Sequence, residues 1–414
     1  TIKGQGKDKG LFFPEDISKF SNEFLQNLPN LSNEEIAFQV MKDFAGDEIP
    51  EAELRKIVAE TIAFEIPLKK VTENISVLEL FHGPTLAFKD VGARFMSRCL
   101  GYFLKNETRK VTVLVATSGD TGGAVANGFY DVEGIEVVIL YPKNRVSPVQ
   151  EKQLTALGKN IHALEVNGSF DDCQALVKQA FSDESLNEKL LLTSANSINV
   201  ARWLPQQIYY VLALKQWLKI HSENPVICVP SGNFGNICAG ILAHHRGLPV
   251  EHFIAACNVN DVVPEYLRTE ILKPKETVAT ISNAMDVGDP SNFVRILELF
   301  DKEFNQVKNK LSGYTIDDEE TLKTIKRVEK DYGYVLDPHG AVAFVALEKY
   351  LAEKGGKGFF LETAHPVKFP DSVEQATGKS VEIPKSLEEL MKQEKFTTEI
   401  NPQYEELKGF LLKK

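Results

Sequence analysis

A chain of 414 residues with 43% hydrophobic and 25% charged residues has the composition of a globular protein with core enough for two or three domains. Its net charge of −11 argues against a nucleic-acid or anionic-membrane surface, while leaving room for a local basic pocket. No apolar run reaches the length of a membrane span and no signal-peptide pattern opens the chain. Thr1 is not an initiator methionine, so a few preceding residues are expected. The cysteines Cys99, Cys173, Cys228, Cys238 and Cys257 are widely spaced and form no C-x-x-C pair. Neither a disulfide framework nor a zinc site is expected, and a reducing cytoplasm fits.

Residues 1–75 read as a mostly helical lead-in. Ser32 followed by Glu34 and Glu35 marks one helix start, and Pro50 with Glu51 and Glu53 marks another. No chemistry is evident there. The run Leu80-Phe81-His82-Gly83-Pro84-Thr85-Leu86-Ala87-Phe88-Lys89-Asp90 then makes a turn, an apolar approach and a lysine at a helix start. That helix end favours anions. The lysine is either a surface residue near a turn or an amine kept neutral to form a Schiff base.

From there strands and helices alternate. Residues 111–116, 135–140 and 161–166 are predicted strands, each followed by a helical segment, which argues for a parallel sheet covered on both faces. Ligands in such sheets bind beyond the carboxyl ends of strands. Thr117-Ser118-Gly119-Asp120-Thr121-Gly122-Gly123 follows the first strand and is either a plain turn or an anion cradle. Asn199 can cap the helix that follows it, and Arg202 suits a phosphate bidentately. Tyr209, Tyr210 and Trp217 read as core.

Residues 225–230 form another predicted strand and run into Ser231-Gly232-Asn233-Phe234-Gly235-Asn236 before an apolar helix. Two glycines let backbone approach a ligand, and the helix start supplies positive potential for a phosphate held without lysine. His244, His245 and Arg246 read as a cationic helix end. Residues 251–257 continue as a strand. Residues 283–292 are either a capped loop or part of a site. The charges of residues 301–330 read as solvated helix faces, and residues 336–341 open a small-residue helix in which His339 is not expected to be catalytic. Residues 358–362 are the last clear strand, with Thr363 at its carboxyl end. The tail after Pro384 reads as charged, helical surface.

His82-Gly83-Pro84-Thr85-Leu86-Ala87-Phe88-Lys89-Asp90 resembles the pyridoxal-phosphate lysine motif of the threonine synthase family in its long bacterial and fungal form. The likeness extends from about Gly10 to Phe369. It implies a two-domain α/β protein of fold type II, with parallel-sheet domains, a mostly helical N-terminal segment and the cofactor between domains. The expected division is residues 1–88, 89–200 and 201–414. The resemblance implies that Lys89 carries pyridoxal 5'-phosphate and moves protons. It implies that Gly232, Asn233, Phe234, Gly235 and Asn236 hold the cofactor phosphate, and that the Thr363 hydroxyl meets the pyridine nitrogen. Thr85, Thr117, Ser118, Asp120 and Thr121 are then substrate residues, the last four forming the substrate-carboxylate loop. Ser197, Asn199 and Arg202 take the substrate phosphate.

The activity implied is conversion of O-phospho-L-homoserine and water to L-threonine and phosphate, a carbon–oxygen lyase reaction closing threonine biosynthesis. Two alternatives stay open: a phospho-lyase releasing 2-oxobutyrate, and a silent binder of phosphorylated metabolites. No metal, nucleic acid or membrane is expected. A cytoplasmic monomer or homodimer is expected, without the long N-terminal effector-binding extension of plant-type enzymes.

Overall fold

The computed structural model describes residues 1–2, 4–6, 10–105, 110–117 and 119–413. Its contacts divide the chain into two units, one of residues 1–12, 89–202 and 383–414, the other of residues 13–88 and 203–382. Eleven strands form among the described residues. They are β1 (Leu68–Lys70), β2 (Ile75–Glu79), β3 (Val111–Ala116), β4 (Ile135–Pro142), β5 (Ile161–Val166), β6 (Leu191–Thr193), β7 (Val226–Pro230), β8 (His252–Cys257), β9 (Leu311–Thr315), β10 (Gly358–Glu362) and β11 (Thr397–Ile400).

The first unit holds a parallel five-stranded sheet in the order β11-β5-β4-β3-β6. Its inner strand β3 is buried at every residue. The unbroken run Val-Thr-Val-Leu-Val-Ala suits a parallel strand covered on both faces. The helix Lys89–Phe103 packs closely in this unit. A Cβ on Gly92 would stand 2.5 Å from the backbone oxygen of Arg202, and one on Gly128 would stand 3.1 Å from the Ala93 carbonyl. The tail differs from expectation. It carries β11, which adds an edge to the sheet against β5, and only Ile400 of that strand is buried. One inward side chain among polar neighbours leaves little hydrophobic period to read.

The second unit holds a six-stranded sheet in the order β1-β2-β10-β7-β8-β9, antiparallel between β1 and β2 and parallel elsewhere. The lead-in has the two expected helices, Asn33–Ala45 capped by Ser32 and Glu51–Thr61 preceded by Pro50. It also supplies β2, a fully buried strand in which Ser76 and Glu79 disguise a core position. Within the charged stretch after Asp301, β9 closes the far edge of the sheet.

The end of the helix Gly235–His245 is not a solvated cationic cap. Arg246 is fully buried between the rings of Phe20 and Phe44, at 4.1 and 4.8 Å, and donates to Asp43 at 2.7 Å. Burial pushes His245 down to about 4 and lowers His244 as well, so both rings are neutral near pH 7. No described helix is long and apolar enough to cross a membrane.

Candidate active site

The lysine motif is stitched into the second unit by backbone bonds. After β2 the chain runs beside the end of β10. Leu80 donates its N–H to the Glu362 carbonyl at 3.0 Å, Phe88 to the Thr363 carbonyl at 2.9 Å, and His365 to the Leu86 carbonyl at 3.0 Å. Ala87 and Ala364 form an antiparallel bridge. The buried Lys368 ammonium donates to the Thr85 carbonyl at 2.8 Å. Leu86 adopts φ 56°, a left-handed conformation costing a non-glycine residue about 1–2 kcal/mol. Its neighbours hold it there through these bonds. Lys89 follows Phe88 directly and opens the helix Lys89–Phe103, with the acidic Asp90 in its first turn, where a negative charge is favoured. Phe88, whose amide is tied to the Thr363 carbonyl, is thus the immediate chain neighbour of the lysine.

The loop between β7 and the helix Gly235–His245 is the second element. Phe234 sits at the helix N-cap in left-handed backbone at φ 61°, its ring packed edge-on to Phe293 at 5.6 Å. Successive right- and left-handed residues at a helix start turn backbone N–H groups into an anion nest. Asn233 is held by its side-chain oxygen, which accepts from the Ser291 N–H at 2.7 Å. Residues 283–292 therefore brace the loop. The packing also explains Gly232: a Cβ there would meet the Met285 Cα at 2.6 Å, so this glycine admits the brace.

Asn236 carries the most telling arrangement. Its oxygen accepts from the hydroxyls of Tyr209 and Tyr210, both at 2.7 Å. Its side-chain nitrogen is buried and has no partner. With the oxygen facing the two hydroxyls, an N–H donor is left without a partner in the first turn of a helix. An orphaned buried donor costs about 1–3 kcal/mol. An oxygen-rich anion at the helix start would relieve that cost, and the loop 232–236 contains no carboxylate to repel one. The residues therefore fit a monoester phosphate. Tyr209 and Tyr210 are core residues, as expected, yet they also orient Asn236; helical spacing carries no sign of that.

The loop after β3 is built differently. The Thr117 hydroxyl accepts from the N–H groups of Gly119 at 3.0 Å and Gly122 at 2.9 Å, and donates to the Gly119 carbonyl at 3.1 Å. Two loop amides are thus directed inward. Asp120 is buried and accepts from the Gln150 amide at 2.9 Å; Gln150 belongs to a capping box with Ser147. Gly119, at φ 147°, lets Gln150 approach, since a Cβ would lie 2.6 Å from its amide. Thr121 is partly exposed, and Ser118 lies outside the described residues.

In the 194–202 turn, Asn199 is fully buried. Its oxygen accepts from the Ala201 N–H at 3.0 Å, and its nitrogen donates to the carbonyls of Thr1 and Ser194. Arg202 is also buried and donates to the Ala195 carbonyl. Burial pushes its guanidinium down to about 10, against the nearby Asp90 charge, which raises it. Ser197 is the partly exposed member. Asn199 is a turn clasp, in keeping with its capping alternative, and one nitrogen of the Arg202 guanidinium is bound to a carbonyl.

Beneath the end of β10 lies an acidic cluster that the sequence did not announce. Glu79 and Glu362 are register partners on β2 and β10. Burial pushes Glu79 up, but hydrogen bonds from His82, Lys69 and Tyr334 outweigh it and leave its carboxyl below the usual range. Glu362, wholly buried beside the Asp337 charge, is raised well above that range. His339 is buried, with Nδ1 2.7 Å from Asp337 and Nε2 accepting the Ala284 N–H at 3.2 Å. That pattern assigns a neutral tautomer with a supporting role. Burial also pushes His365 down to about 4. No group of residues able to hold a metal ion occurs among the described residues.

The comparisons with known proteins agree with one another. Residues 62–358 match the model of the pyridoxal-phosphate dependent enzyme family, residues 1–62 that of the threonine synthase N terminus, and residues 340–411 that of the threonine synthase C-terminal region. The chain is 47% identical over 389 residues to threonine synthase of Escherichia coli strain K12, covering 94% of this chain and 90% of that protein. The crystal structure of threonine synthase from Escherichia coli superposes with a TM-score of 0.92 at 45% identity, covering 100% of this chain and 95% of that one. The pyridoxal-phosphate-bound threonine synthase from Brucella melitensis superposes with a TM-score of 0.92 at 35% identity, covering 99% and 94%. The chain belongs to the threonine synthase family, carbon–oxygen lyases of the pyridoxal-phosphate dependent fold type II enzymes.

Proposed function

We propose that the chain converts O-phospho-L-homoserine and water to L-threonine and phosphate, with Lys89 as its proton carrier. The observation that carries this reading is the stitching of the lysine motif to the end of β10, where Phe88 is bonded to Thr363. Pyridoxal phosphate, when bound, supplies the electron sink that makes carbon acids of the substrate's α and β positions. The chain's own residues do the rest. Lys89 holds the cofactor at rest, takes a proton from the substrate and returns it. The amides of residues 232–236 and the orphaned nitrogen of Asn236 hold the cofactor phosphate. The Thr363 hydroxyl would meet the pyridine nitrogen, and unlike a carboxylate it would not force that nitrogen to be protonated.

For the substrate, the reading assigns the carboxylate to the loop of Thr117, Ser118, Asp120 and Thr121, with Thr117 and Asp120 keeping its form. Ser197, Asn199 and Arg202 serve the substrate phosphate, Ser197 as the accessible hydroxyl and the other two as the frame of its turn. Thr85 joins the substrate residues through the lysine motif. Residues 1–88, 89–200 and 201–414 remain the proposed functional division. A monomer or homodimer in a reducing cytoplasm, with no nucleic-acid partner, completes the reading, supported by five free, buried cysteines and the net charge of −11.

The test has two parts. Borohydride reduction of the purified protein followed by peptide mapping is expected to find the cofactor on Lys89, and K89A is expected to lose the trapped label and about 10³-fold or more of the turnover. Label on another residue defeats the assignment. Product analysis with O-phosphohomoserine is expected to give threonine; 2-oxobutyrate as the main product defeats the reaction proposed.

A further inference from the structure

The end of β10 is gripped from two directions by one residue. Asp337 gives its backbone N–H to Glu362 Oε1 at 2.6 Å, and its carboxylate accepts the Ala364 N–H at 3.3 Å. Thr363 lies between the two gripped residues. The grip needs the helix Pro338–Lys354 to sit very close. Gly340 allows it, since a Cβ there would stand 1.5 Å from Glu362 Oε2.

The two carboxyls in this grip are unequally served. Asp337 accepts from the N–H of His339 at 2.5 Å, from His339 Nδ1 at 2.7 Å, from Gly340 N–H at 3.4 Å and from Ala364 N–H. Glu362 accepts from one donor, and its Oε2 is buried with no hydrogen-bond partner. The groups around Glu362 are mostly acidic. Glu79 stands in register on the next strand, with His82, Lys69 and Tyr334 on its oxygens, and Asp337 faces it from the helix start. His365 and Lys368 follow it on its own chain segment. One negative charge in a dry site with four donors is tenable; a second beside it with a single donor is not. Burial and the Asp337 charge both raise the Glu362 pKa.

We propose that Glu362 is a neutral, proton-bearing acid and a positioning residue for Thr363, wedging the end of β10 against the first turn of the helix Pro338–Lys354. Asp337 and Glu79 each have several donors where Glu362 has one, and the Glu362 side chain sets the height of the strand end. The proposal rests on the assignment of Thr363 to the cofactor ring made above. A neutral wedge holds the residues on either side of Thr363 without adding a charge there.

The holoenzyme tests it through three variants. The infrared difference spectrum of wild type minus E362Q is expected to show the carbonyl stretch of a protonated carboxylic acid, in apoprotein and holoprotein alike. A carboxylate pair of bands in its place overturns the proposal. E362A, which removes the wedge, is expected to lower kcat by about tenfold with KM changed less than about twofold, and to shift the absorbance of the bound cofactor. E362Q is expected to restore most of both, because an amide reproduces the neutral acid's size and its acceptor oxygen. E362Q as impaired as E362A overturns it. Should E362A fail to fold, the infrared band and E362Q decide alone.

T363A separates this proposal from the assignment beneath it. If Thr363 meets the cofactor, T363A shifts the same absorbance, and the double variant E362A/T363A adds little to either. If T363A leaves the spectrum unchanged, the Thr363 assignment fails and the positioning role with it, while the infrared band still reports the neutral acid.

Discussion

Two loops in this chain share one pattern and differ in how their donors are used. Residues 117–121 and 232–236 each follow a fully buried parallel strand and open a helix. In the first, a threonine hydroxyl takes two amides and a buried aspartate is fastened by Gln150. In the second, Asn236 is fastened through its oxygen, and its nitrogen is left as a donor without a partner. A glycine-rich turn at a helix start is thus an anion site only to the extent that its N–H groups point outward. The difference suits a permanent phosphate in one loop and a carboxylate that comes and goes in the other.

The largest test of that contrast is N236D. A carboxylate in place of the orphaned donor is expected to weaken pyridoxal phosphate binding by about 100-fold, read by titrating the apoprotein. Affinity within about threefold of wild type breaks the contrast. Next comes T117V, which leaves two amides without their hydroxyl. It is expected to lower kcat/KM for O-phosphohomoserine by about tenfold or more while cofactor affinity stays within about twofold. Equal losses in both would show that the loops are not specialised.

A smaller effect is expected of Y209F. It removes one of the two hydroxyls on Asn236, at about 1 kcal/mol, or about fivefold in cofactor affinity. Y210F is expected to do the same, and the pair together more than either.

The last effect bears on stability and is one of pH. The folded state holds a proton on Glu362 that the unfolded chain releases above its carboxyl pKa of about 4.3. Because the native state binds more protons, stability falls as pH rises from there toward the raised folded value. The slope from this group is at most about 1.4 kcal/mol per pH unit. E362Q is expected to remove that contribution, seen as a flatter dependence of denaturant midpoint on pH from 5 to 7. A wild-type curve with no such slope would count against a neutral Glu362.

The inner strands were legible because they are mostly apolar runs: β3, β4, β7 and β10 each read as strands from residue type, broken at most by one polar residue. The edges were not. β11 has one buried residue in four, β6 is three residues long, and β9 follows a helix rich in lysine and asparagine. β2 was hidden by Ser76 and Glu79, both buried, of which Glu79 is satisfied by Lys69, His82 and Tyr334. The same limit applies to the site. Local spacing points to a lysine, two loops and a hydroxyl at a strand end. It contains nothing about Tyr209 and Tyr210 reaching Asn236, or about Asp337 clasping Glu362 and Ala364, since those bonds join residues roughly 25 positions apart through the tertiary fold. Arg202 is a similar case: its residue type suggests an anion ligand, and nothing in its spacing shows that it is buried with one nitrogen on the Ala195 carbonyl.

The stitched segment also governs how this molecule can be recombined. Residues 80–88 and 362–368 exchange main-chain bonds in both directions, and Lys368 reaches across to the Thr85 carbonyl. A chimera that imported the lysine motif with a different backbone path would disturb both sets of bonds at once, because each stretch reaches main-chain carbonyls of the other. Breeding new specificities into this scaffold therefore calls for moving the two stretches as a matched set.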